Sequence, residues 1–132
     1  NFILSIFIDE AINPDQEILP SMMIQIPVEN AFKHALKDKE GMKRLWIDIR
    51  RIEIGIRIKI RDNGGGYKVN SVNHGTGTGM KVIFQTVQLL NANNKKHLDI
   101  SIANVQLDEG EIGCEFTVIL PQGYDYNLKK MV

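Results

Sequence analysis

The sequence predicts an α+β fold, a two-layer α/β sandwich in which helices cover one face of a mixed β-sheet. Three observations predict it. Phe2–Asp9 is an apolar, β-branched run, and apolar residues alternate with a period of two in Leu45–Asp62, Leu98–Asn104 and Glu115–Leu120. In Ile18–Leu36 and Met80–Asn91 they recur instead at helical spacing. The resulting order is strand, helix, strand, strand, loop, helix, strand, strand. A chain of 132 residues fits a single domain, 1–132, with a sizeable core.

Each element has its own justification. Phe2–Asp9 is apolar and β-branched and runs into Asn13-Pro14-Asp15, a turn signal. Ile18, Met22, Met23, Ile26, Ala31, Phe32 and Ala35 mark the first helix. Pro27 lies inside it. It lacks a backbone donor and clashes with the preceding turn, so a kink or break is expected just before it. Lys37-Asp38-Lys39-Glu40-Gly41 closes the helix. In Leu45–Asp62 the alternation changes phase: Ile47 and Ile49 are odd, whereas Ile52, Ile54, Ile56, Ile58 and Ile60 are even. A phase change requires a turn or bulge, here a tight turn near Arg51–Ile54 between antiparallel strands. Their outward residues, Arg50, Arg57, Lys59 and Arg61, read as a solvated basic face with no aromatic residue for base stacking. Tyr67–His74 is a polar loop. Val82, Ile83, Val87 and Leu90 line one side of the second helix, and Asn91–Lys96 breaks it. The last two strands flank Asp108-Glu109-Gly110-Glu111 and stop at Pro121, leaving 122–132 as a peripheral tail.

Composition narrows the function. Sixteen basic and sixteen acidic residues cancel, which argues against a protein built to bind nucleic-acid backbones. The lone Cys114 allows no internal disulfide and no thiolate metal cluster, and its apolar surroundings make it a plain thiol. No apolar run is long enough to span a membrane. The start, Asn1-Phe2-Ile3-Leu4, has no initiating Met and no basic leader, so an excised fragment is expected.

Three stretches carry chemistry. Asp62 ends an isoleucine-lined strand and precedes Asn63-Gly64-Gly65-Gly66. A carboxylate there needs a donor, and an adenine amino group is a suitable one. The competing reading is an ordinary Asp-Asn-Gly turn. Gly75-Thr76-Gly77-Thr78-Gly79-Met80 opens the second helix, where free N–H groups and the dipole attract phosphate. It is neither a Walker loop nor a dinucleotide fingerprint. A flexible glycine loop is the plainer alternative. In Val28-Glu29-Asn30-Ala31-Phe32-Lys33-His34, a regular helix puts Asn30, Lys33 and His34 on one face. Asn30 offers an oxygen to Mg²⁺, Lys33 reaches for phosphate, and Glu29 is placed to polarise a nucleophile or metal-bound water. Glu29 and Lys33 also fit a simple surface pair.

Taken together, and in this order and spacing, the three stretches resemble the GHKL ATPase superfamily, and most nearly the ATP-binding domain of LytS/YesM-type sensor histidine kinases. Residues 28–34 look like that family's N box, 62–66 like its first glycine box, and 75–80 like its second. Leu19-Pro20 and Gln25 add to the likeness. The resemblance covers roughly Phe2 to Pro121. It implies the Bergerat ATP-binding fold, with ATP and Mg²⁺ as cofactors. It implies that Asn30 holds Mg²⁺, that Lys33 contacts phosphate with His34 beside it, and that Asp62 receives the adenine amino group. Gly64, Gly66, Gly75, Gly77, Gly79 and Met80 would shape the pocket and a short lid, Tyr67–Thr78. The catalytic set would be Glu29, Asn30 and Lys33. It further implies transfer of the γ-phosphate to a histidine on a separate helical dimerisation domain, and from there to a response regulator. None of His34, His74 and His97 suits the role of phosphoacceptor. The parent would be a homodimer, membrane-anchored, with this domain cytoplasmic and touching neither membrane nor nucleic acid.

The sequence departs from the family at three places. Pro27 stands one position nearer the N box than usual. Met80 replaces a leucine, a volume-conserving change. Glu111-Ile112-Gly113-Cys114-Glu115 replaces the usual Gly-Thr before the last strand. Two other readings compete with an active kinase: a degenerate nucleotide-responsive module that signals by contact, and a chaperone- or topoisomerase-type ATPase. Intact Asn30, Lys33 and Asp62 favour the kinase over the first. The short lid argues against the second.

Overall fold

The structure is a computed structural model and describes residues 1–13, 21–66 and 78–126. The strands are β1 (Phe2–Ile8), β2 (Lys43–Ile52), β3 (Gly55–Asp62), β4 (Asp99–Gln106) and β5 (Ile112–Pro121). The helices are α1 (Met22–Asn30), extended by a π turn over Ala31–Ala35, and α2 (Thr78–Ala92). The strands form a five-stranded sheet in the order β1-β2-β3-β5-β4. β1 and β2 are parallel, joined through α1, and every other pair is antiparallel. The predicted mixed sheet and element order are therefore present.

The phase change has the expected cause. Ile52 pairs with Gly55, so the turn is Glu53-Ile54, and Ile47 faces Ile60 while Ile49 faces Ile58. Odd residues of β2 and even residues of β3 thus share the helix-side face. There Leu45, Ile49, Ile58, Ile60, Phe116 and Val118 pack against Met23, Leu36, Ile83 and Val87 as one core. Burying such side chains is worth roughly 1.5–3 kcal/mol each. The tail is tied down as far as it is described. Asn94 exchanges hydrogen bonds with the Asp125 backbone, and the Tyr124 hydroxyl donates to Asn91 Oδ1 at 2.6 Å.

Two expectations are corrected. First, α1 is not broken before Pro27. The ring is buried, in line with Met23 one turn earlier and Ala31 one turn later. Only one ladder bond is missing, and packing on the core offsets that loss. The irregularity comes after Asn30 instead, where the Leu36 N–H donates to the Ala31 carbonyl at 2.8 Å, an i→i−5 bond. The buried stripe Met23, Pro27, Ala31, Leu36 accordingly steps by four, four and then five residues. The wide turn keeps Leu36, which is 1% exposed, over the core. Second, the basic face does carry aromatic residues. Trp46 is the cross-strand neighbour of Arg61, and Arg50 lies over the Phe7 ring at 4.4 Å. Glu115 pairs with Arg61 and Lys59, and Asp48 pairs with Arg50, so much of the positive charge is neutralised in place.

Candidate functional site

Asp62 closes β3 between α1 and β5. It is only 8% exposed. Its Oδ1 accepts from the Gly64 N–H at 2.8 Å, so the Asp-Asn-Gly turn of the plainer reading is real. Burial nevertheless pushes the Asp62 carboxyl above the usual range, against the opposing pull of the Gly64 and Cys114 amides. A buried acceptor left this unfavourably placed suits a ligand that donates to it. Cys114 lies opposite Asp62 on β5. Burial, reinforced by the Asp62 and Glu115 charges, pushes its thiol up to about 12, which makes it inert at neutral pH.

The glycines fix distances. A Cβ on Gly64 would stand 2.7 Å from the Ala35 carbonyl carbon and 2.8 Å from its Cβ, so only glycine lets this turn touch the π turn. Gly66 has φ +90, which other residues rarely adopt, and a Cβ there would meet Asn104 Oδ1 at 2.9 Å. A Cβ on Gly79 would stand 3.0 Å from Ile26 Cγ2 and 3.7 Å from Asn30 Oδ1. The first turn of α2 therefore rests on α1, with the Asn30 amide oxygen beside it. Gly75 and Gly77, with the lid over 67–77, lie outside the described residues.

The three polar residues of the first helix span its change to a π turn, since Asn30 ends α1 and Lys33 and His34 lie within Ala31–Ala35. The π turn stacks residues five apart rather than four. Asn30 is half-buried and turned toward the start of α2, whereas His34 lines a cleft at the other end of the turn. Lys33 is exposed, and so is Glu29, which accepts from Gln25 Nε2 at 3.1 Å. Met80 is 3% exposed and belongs to the core beneath the site. The cleft has a volume of about 350 Å³ and lies beside Asp62 rather than over it, between His34, Ala35, Lys39, Gly64 and Glu111.

Asn63 escaped the sequence reading. It is 2% exposed. Its Oδ1 accepts from the Arg44 N–H at 2.8 Å, and its Nδ2 donates to the Met42 carbonyl at 3.0 Å and to Glu111 Oε2 at 3.2 Å. Lys39 Nζ completes the cluster at 2.9 Å from Glu111 Oε2. Asn63 thus ties the glycine turn to β2 and to the loop before β5. The one local signal was its position between Asp62 and three glycines.

Comparison with known proteins decides the family. The model of the histidine kinase-, DNA gyrase B- and HSP90-like ATPases matches residues 15–124. The chain belongs to this family. Among curated relatives, the sensor protein LytS of Staphylococcus saprophyticus is 37% identical over 49 residues. That match spans 37% of this chain and 8% of the relative, so only a small part of that protein is represented. Among solved structures, the nucleotide-free catalytic domain of histidine kinase ThkA superposes with a TM-score of 0.57 at 14% identity. The match covers 96% of this chain and 82% of that one. A second crystal form of the same domain gives 0.55 at 13% identity, with the same coverage. The fold is therefore that of a histidine-kinase catalytic domain, and the family is one of nucleotide-binding ATPases. Among the described residues no helix is long and apolar enough to cross a membrane.

Proposed function

We propose that the chain binds ATP with Mg²⁺ and donates the γ-phosphate to a histidine on a separate helical domain, as the catalytic part of a two-component sensor histidine kinase. The observation that carries this reading is Asp62, a buried carboxylate held at the mouth of the sheet by the Gly64 and Cys114 amides. Its remaining acceptor capacity suits the adenine amino group. The donor set fits Mg²⁺ as well. The Asn30 amide oxygen, beside Gly79 in the first turn of α2, would hold the ion together with phosphates and water. ATP supplies the phosphoryl group, and the protein supplies position and charge. Lys33 would neutralise phosphate from the exposed side of the helix, and His34 would border the base. Gly79 lets the α2 N-terminus approach the phosphates, while Gly75 and Gly77 belong to the lid. Glu29 would orient the incoming nucleophile.

The resemblance to sensor histidine kinases supports the partners: a helical phosphoacceptor domain of the same parent, then a response regulator, with the parent homodimeric and membrane-anchored. The test is phosphorylation of the full-length parent with γ-labelled ATP. Acid-labile, base-stable label that disappears in Asn30→Ala is expected. ATP binding without any transfer of label would instead establish the contact-signalling module, and the kinase reading would fail.

A further inference from the structure

The start of β5, with Glu111 just before it, grips the glycine turn at Asp62, Asn63 and Gly65. The Cys114 amide donates to the Asp62 carboxylate. The Glu111 carboxylate accepts from Asn63 Nδ2 at 3.2 Å, and the Ile112 carbonyl accepts from the Gly65 N–H at 3.0 Å. Gly113 makes this approach possible, because a Cβ there would collide with the Asp62 carbonyl. The grips from Cys114 and Ile112 come from the main chain, which carries the same groups in almost any sequence. The grip on Asn63 depends on the Glu111 side chain.

Glu111 is itself held from the helix layer. Its Oε2 accepts from Lys39 Nζ at 2.9 Å, and Lys39 follows the π turn, where its N–H donates to the Leu36 carbonyl at 3.3 Å. One carboxylate oxygen thus receives Lys39 and Asn63 together. The Lys39 hydrogen bond holds the Glu111 carboxyl below the usual range against some desolvation, and the Arg44 charge on β2 acts in the same direction. Glu111 is therefore ionised at neutral pH, and hydrogen bonds to a charged group are the stronger kind. Lys39 and Glu111 are both partly exposed, so their pairing adds little to stability; what it fixes is direction. Asn63 has little room to drift, since Glu111, Met42 and Arg44 engage both of its amide hydrogens and its oxygen. It stands between Asp62 and Gly64, so its place sets where the Gly64 N–H meets Asp62 Oδ1. Resting on the reading of Asp62 as the group that receives adenine, we propose that Glu111 and Lys39 are positioning residues for base recognition. Lys39 orients Glu111, Glu111 fixes Asn63, and Asn63 keeps Asp62 and the Gly64 amide aligned to accept the adenine amino group. Both side chains line the cleft beside Asp62, so direct contact with the base is the rival account.

Isothermal titration of the 132-residue chain with ATP and with inosine triphosphate, each with Mg²⁺, tests this. Inosine triphosphate carries a carbonyl where adenine carries the amino group. The ratio of the two affinities therefore reports base reading, and a change in folding or in phosphate binding moves both affinities alike. Glu111→Ala and Lys39→Met are each expected to lower that ratio by about two- to tenfold, the size of one net hydrogen bond. Lys39→Arg, which can still donate to Glu111, is expected to keep the wild-type ratio. In an Asp62→Ala background, Glu111→Ala is expected to change the ratio no further. The proposal is overturned if Glu111→Ala keeps the wild-type ratio, or if Lys39→Arg loses as much as Lys39→Met. It is overturned equally if Glu111→Ala still lowers the ratio in the Asp62→Ala background, which would establish direct contact with the base. A wild type that binds no ATP, or a ratio that Asp62→Ala leaves unchanged, would refute the reading of Asp62 itself and the proposal with it.

Discussion

Replacing Gly64 by alanine tests the contact that joins the glycine turn to the first helix. The added methyl would stand 2.7 Å from the Ala35 carbonyl carbon and 2.8 Å from its Cβ. Carbon atoms prefer about 3.5–4.0 Å, so the shortfall is roughly 1 Å. The atoms it meets belong to the π turn, which cannot swing aside as a flexible side chain would. The glycine turn must therefore retreat from α1. Forced overpacking of this kind costs about 1–3 kcal/mol. For a domain of this size that lowers Tm by about 3–12 °C. The retreat also moves the Gly64 N–H away from Asp62 Oδ1, now 2.8 Å apart, and so disturbs the carboxylate proposed to receive adenine. Thermal unfolding with and without ATP and Mg²⁺ measures both effects. Gly64→Ala should melt lower and gain less from nucleotide than the wild type does. A Tm within about 1 °C of wild type, with the same gain from nucleotide, would refute the close-contact argument.

Two other substitutions separate stability from binding. Burial raises the Asp62 carboxyl pKa above its ordinary 3.8, so the folded state holds the proton more tightly than the unfolded state does. Stability contributed by this group is therefore lost as pH rises from the unfolded value through the folded one. Asp62→Asn should melt higher than wild type at neutral pH and show less dependence on pH through the acid range; a lower Tm at neutral pH would contradict this. Asn63→Ala empties a buried site and removes the part-buried bonds to the Arg44 N–H and the Met42 carbonyl, and should cost about 1–3 kcal/mol in denaturant titration. A loss below about 0.5 kcal/mol would mean that water replaces the side chain without penalty.

Local patterns carried most of the fold. Period-two alternation placed β2 to β5, an apolar β-branched run placed β1, and the change of phase located the β2–β3 turn. The π turn was present as a five-residue step from Ala31 to Leu36, but Pro27 drew attention to the wrong place. Trp46 and Phe7 were missed on the open face because cross-strand register, not sequence spacing, decides which residues share a face. Asn63 binds partners far along the chain, Met42, Arg44 and Glu111, and no local pattern encodes such a cluster. For the candidate site, Asp62 alone was indistinguishable from a turn. Its meaning came from Asn30 and the glycines at 75, 77 and 79 standing in a fixed order with it in the sequence. The structure shows that Asp62 is both, a turn through Gly64 and a buried acceptor beside Cys114.

The account rests on Asp62 as the group that receives adenine. Isothermal titration of the chain with ATP and Mg²⁺, repeated on Asp62→Ala, tests it most directly. Loss of a buried charged hydrogen bond costs roughly 1.5–3 kcal/mol, or about ten- to a hundredfold in affinity. The account predicts saturable binding by the wild type and a loss of that size in a variant that remains folded. A folded wild type that binds no ATP, or an Asp62→Ala variant that binds as tightly as wild type, would contradict it.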